Sequence, residues 1–293
     1  MRLDDVRESD QIEDRRGSGG MGGLPGGTGG LGIGTVVILG IIGWALGINP
    51  AVLIGGAEMV QGMRNGGQQQ TSQPSRTGSP TDDMGRFVGK ILAQTEDVWN
   101  EVLPQQANVN YTKPQLVMFS GATRSGCGTA QSAMGPFYCP LDRKVYLDTS
   151  FFQEMRQRLG GGGDFAYAYV IAHEVGHHVQ NLLGILPKVQ EAQQRLPQRE
   201  ANAMSVRVEL MADCLAGVWA NHSKDQIKID QGDIQQAMTT ASAIGDDKLQ
   251  QQSQGRVVPD SFTHGSSAQR IQWFTQGWQS GSVKTCNTFQ SRQ

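Results

Sequence analysis

The residues best equipped for chemistry in this chain are His173, Glu174 and His177, spaced as His-Glu-Val-Gly-His within Tyr169–Asn181. In a helix, four residues advance little more than one turn, so the two imidazoles sit about 40° apart on one face. They can share one metal ion. Glu174 falls about 60° round from His177, where a carboxylate can take a proton from a water molecule instead of binding the metal itself. Ile171, Val175, Val179 and Leu182 occupy the other face, an apolar stripe able to anchor the helix in a core. A catalytic zinc requires a third protein ligand and an open position for water. The all-histidine pattern H-E-x-x-H-x-x-G-x-x-H is excluded, because its glycine and last histidine are replaced by Gln180 and Leu183. Further along, Glu209 and Asp213 share one helix face, opposite a stripe of Met204, Val208, Met211, Leu215 and Val218. Glu209 is read as the third ligand and Asp213 as the acceptor that fixes a ligand imidazole through its N–H. The alternative is that both are solvated surface acids.

H-E-x-x-H followed by E-x-x-x-D resembles the gluzincin metallopeptidases, and Glu209-Leu-Met-Ala212-Asp213 is similar to the E-x-x-A-D pattern of membrane-associated proteases such as the CAAX-processing and heat-shock families. His264-Gly265-Ser266-Ser267-Ala268-Gln269-Arg270-Ile271 resembles their late H-P-x-x-x-x-R-I segment, with Gly265 in the proline position. Motif likeness spans roughly residues 165–275. Taken whole, the chain resembles a bacterial family of neutral zinc metallopeptidases. The resemblance implies an α+β, mainly helical, zincin-like domain with a small antiparallel sheet, in which an edge strand holds a peptide or unfolded protein by β-addition. It also implies Zn2+ held by His173, His177 and Glu209, with Glu174 as general base. His264 or Arg270 would then stabilise the oxyanion, the alternative being a capping histidine and a surface arginine. A zinc site that is structural or latent, in a membrane-tethered scaffold or partner-binding protein, is the competing function.

Several elements must position these groups. Gly160–Gly163 precedes Asp164, a plausible N-cap for the histidine helix. Met84, Phe87, Val88, Ile91, Leu92, Val98, Trp99, Val102 and Leu103 follow a helical period ended by Pro104. Residues 115–120 and 144–148 read as short strands, paired ahead of the histidine helix. Helices are expected over 186–196 and 199–221, after Asp230 or Asp233, and after a Ser266/Gln269 capping box.

Residues 1–16 carry four arginines among six acids and few large apolar groups, so they read as a tail unable to build a core. Gly17–Gly30 reads as a flexible linker, and 1–30 together as a cytoplasmic tail. Leu31–Gly55 is mostly apolar and uncharged, long enough to cross a bilayer as one transmembrane helix. A cleaved signal peptide and a buried core helix are the weighed alternatives. The arginines ahead of it place the N-terminus in the cytoplasm and the rest outside the inner membrane, in the periplasm or its equivalent. Residues 56–81 read as a disordered tether, and 82–293 as the zinc metallopeptidase domain. Cys127, Cys139, Cys214 and Cys286 all follow the apolar segment, an even count that suits disulfides. Cys127–Cys139 with Cys214–Cys286 is preferred among three pairings, with free thiols as the alternative. A net charge of −2 without a basic run argues against nucleic acid. His178 and His222 read as structural or surface residues.

Overall fold

Where two helices pack in direct contact, their approach is set by what they lack at the crossing. In the computed structural model, which describes residues 1–16, 76–77, 80–131, 135–158 and 162–290, the helices are α1 (Asp83–Ala107), α2 (Ser150–Arg158), α3 (Asp164–Leu182), α4 (Ile185–Gln193), α5 (Gln198–Ser223), α6 (Gln231–Ala243), α7 (Asp246–Gln254) and α8 (Ser267–Ser280). Helices α5 and α8 touch backbone to backbone: a Cβ on Gly277 would lie 1.9 Å from the Cys214 carbonyl oxygen, and one on Gly217 would lie 2.2 Å from that of Phe274. Any side chain at either position would force the pair apart. Trp99, Trp219, Tyr169, Phe165 and Phe274 are fully buried among α1, α3, α5 and α8 and form the centre of the core.

The strands are β1 (Ile12–Asp14), β2 (Arg76–Thr77), β3 (Gln115–Phe119), β4 (Ala122–Ser125), β5 (Gly128–Gln131), β6 (Phe137–Cys139) and β7 (Lys144–Asp148). Five of them form a sheet in the order β2-β1-β3-β7-β6, while β4 and β5 make a separate hairpin. The expected strands at 115–120 and 144–148 are therefore present and paired, but in parallel. The sheet is mixed instead of antiparallel, since only the outer strands β2 and β6 run against their neighbours. Side-chain alternation explains why parallel strands survive here. Leu116, Met118, Val145 and Leu147 join the main helical core, whereas Val117, Phe119 and Tyr146 form a second cluster with Ala130 and Cys139. Both faces of the sheet are covered, as parallel pairing requires.

The largest departure from expectation lies at residues 1–16, which are not a tail. β1 is an interior strand, aligned in parallel with β3 through Ile12↔Leu116 and Asp14↔Met118, and Ile12 is completely buried. Its sequence, Ile-Glu-Asp, supplies one apolar side chain to the core. Arg15 and Lys144 then satisfy Glu13 at 2.8 and 3.0 Å. The linker 17–30, the apolar stretch 31–55 and most of the expected tether 56–81 lie outside the described residues, but the end of that tether is not disordered, since residues 76–77 pair with β1 as β2. Among the described residues no helix is long and apolar enough to cross a membrane.

Smaller corrections follow from local chemistry. α1 starts on Asp82, whose side chain accepts the Gly85 N–H, but it passes through Pro104 and ends one turn later on Asn108 in the left-handed region. Pro104 removes only its own donor, and its carbonyl still accepts from Asn108. Asp164 lies within the first turn of α3 instead of capping it, because Gly163 is the N-cap. Capping boxes form at Asp230/Asp233 and at Ser266/Gln269, the second as expected and the first using both acids. The cysteines are bonded as preferred, Cys127 to Cys139 and Cys214 to Cys286. The second bridge ties α5 to the C-terminal 3-10 turn Val283–Cys286.

Candidate metal centre

α3 carries the two histidines, and the glycine between them decides what comes near. A Cβ on Gly176 would meet the Ala212 carbonyl oxygen at 3.1 Å, so α3 lies close against the segment of α5 that bears Glu209 and Asp213. As a result, His173 Nε2 lies 3.2 Å from one Glu209 oxygen and His177 Nε2 lies 3.5 Å from the other. The imidazole rings are 4.8 Å apart and nearly perpendicular. One ligand atom from each of His173, His177 and Glu209 fits within 4.8 Å of the others. A tetrahedral zinc with bonds of about 2.1 Å would hold its ligand atoms about 3.4 Å from one another. The three side chains suit that ion in type and in spacing.

Each imidazole is held from behind. His173 Nδ1 is 2.9 Å from Asp213 Oδ1, which leaves Nε2 as the ligating atom. Asp213 is fully buried and is held by the Tyr169 hydroxyl at 2.5 Å and by Arg270, whose Nε and Nη2 both donate to it at 2.9 Å. His177 Nδ1 is 2.9 Å from Gln180 Oε1, and the Gln180 amide donates to the Val208 carbonyl of α5. Gln180, noted in the sequence only for what it excluded, is thus a positioning side chain. Its spacing of three from His177 was the available signal.

Electrostatics follow from burial and these partners. Burial opposes a charged imidazole, yet Asp213 and then Glu209 outweigh it and raise the His173 pKa to about 10. His177 is raised for the same reason, with Glu209 outweighing burial. Burial also works against the Asp213 carboxylate, but Arg270 and His173 bring its pKa down to about 2. The pocket favours positive charge, so protons and a divalent cation compete for the same nitrogens. Glu174 behaves differently. It is only 7 % exposed and feels the charges of His173 and His177, and burial pushes its carboxyl pKa upward.

The late segment separates into two roles. His264 sits near Glu209, and its Nδ1 is 3.2 Å from Asp246 Oδ1. The other Asp246 oxygen accepts the backbone N–H groups of Thr263, His264 and Gly265. Sequence reasoning missed Asp246, because nothing in the surrounding Gly-Asp-Asp-Lys marks it. Arg270 does not reach the space in front of the imidazoles. At 3 % exposure its guanidinium is committed to Asp213, to the Tyr169 hydroxyl at 3.2 Å and to the Ile244 carbonyl at 3.3 Å. It supports His173 through Asp213, a buried fork-to-carboxylate pair, and is no surface cation. His178 is structural as expected, buried between the Tyr138 hydroxyl at 3.0 Å and the Thr112 carbonyl at 2.6 Å.

A family model described as "Putative neutral zinc metallopeptidase" matches residues 1–289. The chain belongs to that family. It is 49% identical over 297 residues to the uncharacterized protein YpfJ of Escherichia coli strain K12, with 99% of each chain covered. It is 45% identical over 229 residues to the uncharacterized protein Rv2575 of Mycobacterium tuberculosis, covering 73% of this chain and 74% of that one. No solved structure matches the chain. Membership makes zinc the expected occupant of the His173, His177 and Glu209 group, in agreement with its donor set.

Proposed function

We propose that this protein is a membrane-associated zinc endopeptidase that hydrolyses peptide bonds in peptides or unfolded protein segments on the extracytoplasmic side of a bacterial inner membrane. The observation that carries the reading is Glu174: a buried carboxylate beside two oriented imidazoles. A purely structural metal site has no use for such a group. His173 Nε2, His177 Nε2 and a Glu209 oxygen would hold the zinc. When bound, the ion supplies a water acidic enough to attack near neutral pH and polarises the scissile carbonyl.

The protein's own groups do the rest. Glu174 accepts the proton of the attacking water and passes it to the departing amine, a task helped by burial, which raises its carboxyl pKa. His264, with Nδ1 engaged by Asp246, has Nε2 left to donate to the oxyanion of the tetrahedral substrate. Asp213, Arg270 and Tyr169 keep His173 in the ligating tautomer. An extended substrate has a docking edge on β6, the outer strand of the sheet, whose Tyr138 also contacts the His178 and Asn181 side chains of α3. Both disulfides support an oxidising compartment.

The test is cleavage of an unfolded protein by the zinc-loaded full chain against Glu174→Gln. A general base contributes about 10²–10⁴-fold in rate, so that loss is expected at unchanged zinc content. Equal and negligible cleavage by both zinc-bound proteins would end the peptidase reading and leave a tethered zinc-binding scaffold.

A further inference from the structure

A cavity of about 610 Å³ is lined by Ile185 and Val189 from α4, Met204 and Met211 from α5, and Val283 and Phe289 from the C-terminal segment. Its volume falls in the range of about 300–1,000 Å³ that ligand pockets occupy. Met204 and Met211 belong to the stripe of α5 opposite Glu209 and Asp213, so the cavity shares no residue with the metal centre. The C-terminal wall is fixed in place twice. Cys286 lines the cavity and is bonded to Cys214 of α5, and the Thr288 hydroxyl donates to the Arg207 carbonyl at 2.7 Å.

The chemistry of the lining selects an occupant. Ile185, Met204, Val283 and Phe289 are only half-buried, so apolar surface inside a recess stays wet, and an apolar guest would take it out of water. A peptide would bring in N–H and C=O groups that each need a partner, whereas the uncharged lining side chains are apolar apart from Asn287 and Gln290. An unbranched alkyl chain needs no such partner, and the flexible thioethers of Met204 and Met211 can conform to one. The charged lining side chains are Lys188 of α4 and Lys284 of the turn, both exposed and both positive. Arg207 adds a third cation, its guanidinium 5.9 Å from the centre of the Phe289 ring. An apolar interior under exposed cations is complementary to an apolar tail that ends in an anion. A recess also favours a free chain over a bilayer surface, because a chain must leave the bilayer to enter it. We propose that this cavity binds a free fatty acid, with the alkyl chain against Met204 and Met211 and the carboxylate at Lys188 and Lys284. The inference does not depend on peptidase activity.

The test uses the purified full chain with decanoate as the probe, titrated by calorimetry below its micelle-forming concentration, and a diazirine-bearing decanoate for crosslinking. The expected result is saturable one-to-one binding, with crosslinks on the peptides that carry Met204 and Val283. Exposed charge pairs are worth up to about fivefold each, so Lys188→Gln with Lys284→Gln should weaken binding by about tenfold. Both lysines are exposed, so the urea midpoint of that double variant should match wild type. Decanol, which lacks the charge, should bind less tightly by a similar factor. Met204→Trp should fill the recess and remove the crosslinks at unchanged zinc content. Absence of saturable binding, crosslinks confined to other parts of the chain, or decanol bound as tightly as decanoate would each overturn the proposal. An uncharged apolar peptide that displaces the diazirine probe as well as decanoate does would overturn it in favour of a protein segment.

Discussion

Two ionic networks in this protein use the same chemistry at different depths. Around His173, the Arg270–Asp213 pair is closed off from water, with side chains 3% and 0% exposed. Around β1, Arg16 binds Asp14 and Asp82 with exposures of 19%, 21% and 50%. Buried, an arginine fork becomes a rigid support for a ligating imidazole, and its loss strands a charge in a medium that cannot solvate it. Near the surface, the same fork adds little to stability because water substitutes for it. The first network holds a candidate metal ligand in place. The second joins β1 to the N-cap of α1 near the surface.

The largest effect that would sharpen this contrast is Arg270→Met. Removing one partner of a buried pair should cost about 3–5 kcal/mol, read as a lower urea midpoint, and weaken zinc binding as His173 loses its support. A loss no greater than that of a surface pair would erase the distinction between the two networks. Next in size, Gln180→Ala frees the His177 ring while leaving all three ligands, and zinc affinity in a chelator competition should fall by about 10–100-fold. Arg16→Ala should change stability by about 0–1 kcal/mol. A cost several times larger would mean that the β1 network is energetically equivalent to the buried one.

The smallest effect is a pH dependence. Hydrogen bonding from Arg15, opposed by partial burial and aided by Lys144, holds the Glu13 pKa at about 2, below its ordinary 4.5. A depressed carboxylate contributes stability that is fully present above its unfolded value and drains away as pH falls through the folded one. Between about pH 4.5 and 2, wild type should therefore lose more stability than Glu13→Gln. Parallel acid titrations of the two urea midpoints would show equal losses if Glu13 were unpaired in solution.

Much of the site was legible because its signals are local. Helical spacing alone put His173, Glu174 and His177 together, and the four-residue step from Glu209 to Asp213 put a ligand and a supporting acid on one edge of α5. The Ser266/Gln269 capping box and the long apolar period of α1 were legible for the same reason. Asp246 was not legible, since its role is defined by three N–H groups seventeen to nineteen residues away. Arg270 was placed in the right neighbourhood and on the wrong side of the imidazole, because a motif does not say which way a guanidinium turns. α7 was missed as well; its Asp-Asp-Lys-Leu-Gln-Gln-Gln-Ser-Gln has almost no apolar face to read.

By itself, the order of residues determined the pair of imidazoles with Glu174 between them, the paired acids Glu209 and Asp213, and the cysteines available for bridging, matters of residue type and of periodicity within single helices. Only the tertiary structure decided that Ile-Glu-Asp near the start is an interior strand, that β3 and β7 run in parallel, and that Arg270 stands behind His173. Strand partners lie about a hundred residues apart at Ile12 and Leu116, and a three-residue strand with one apolar side chain carries no pattern of its own. Its place depends on the surfaces that surround it, which exist only once the rest of the chain has folded.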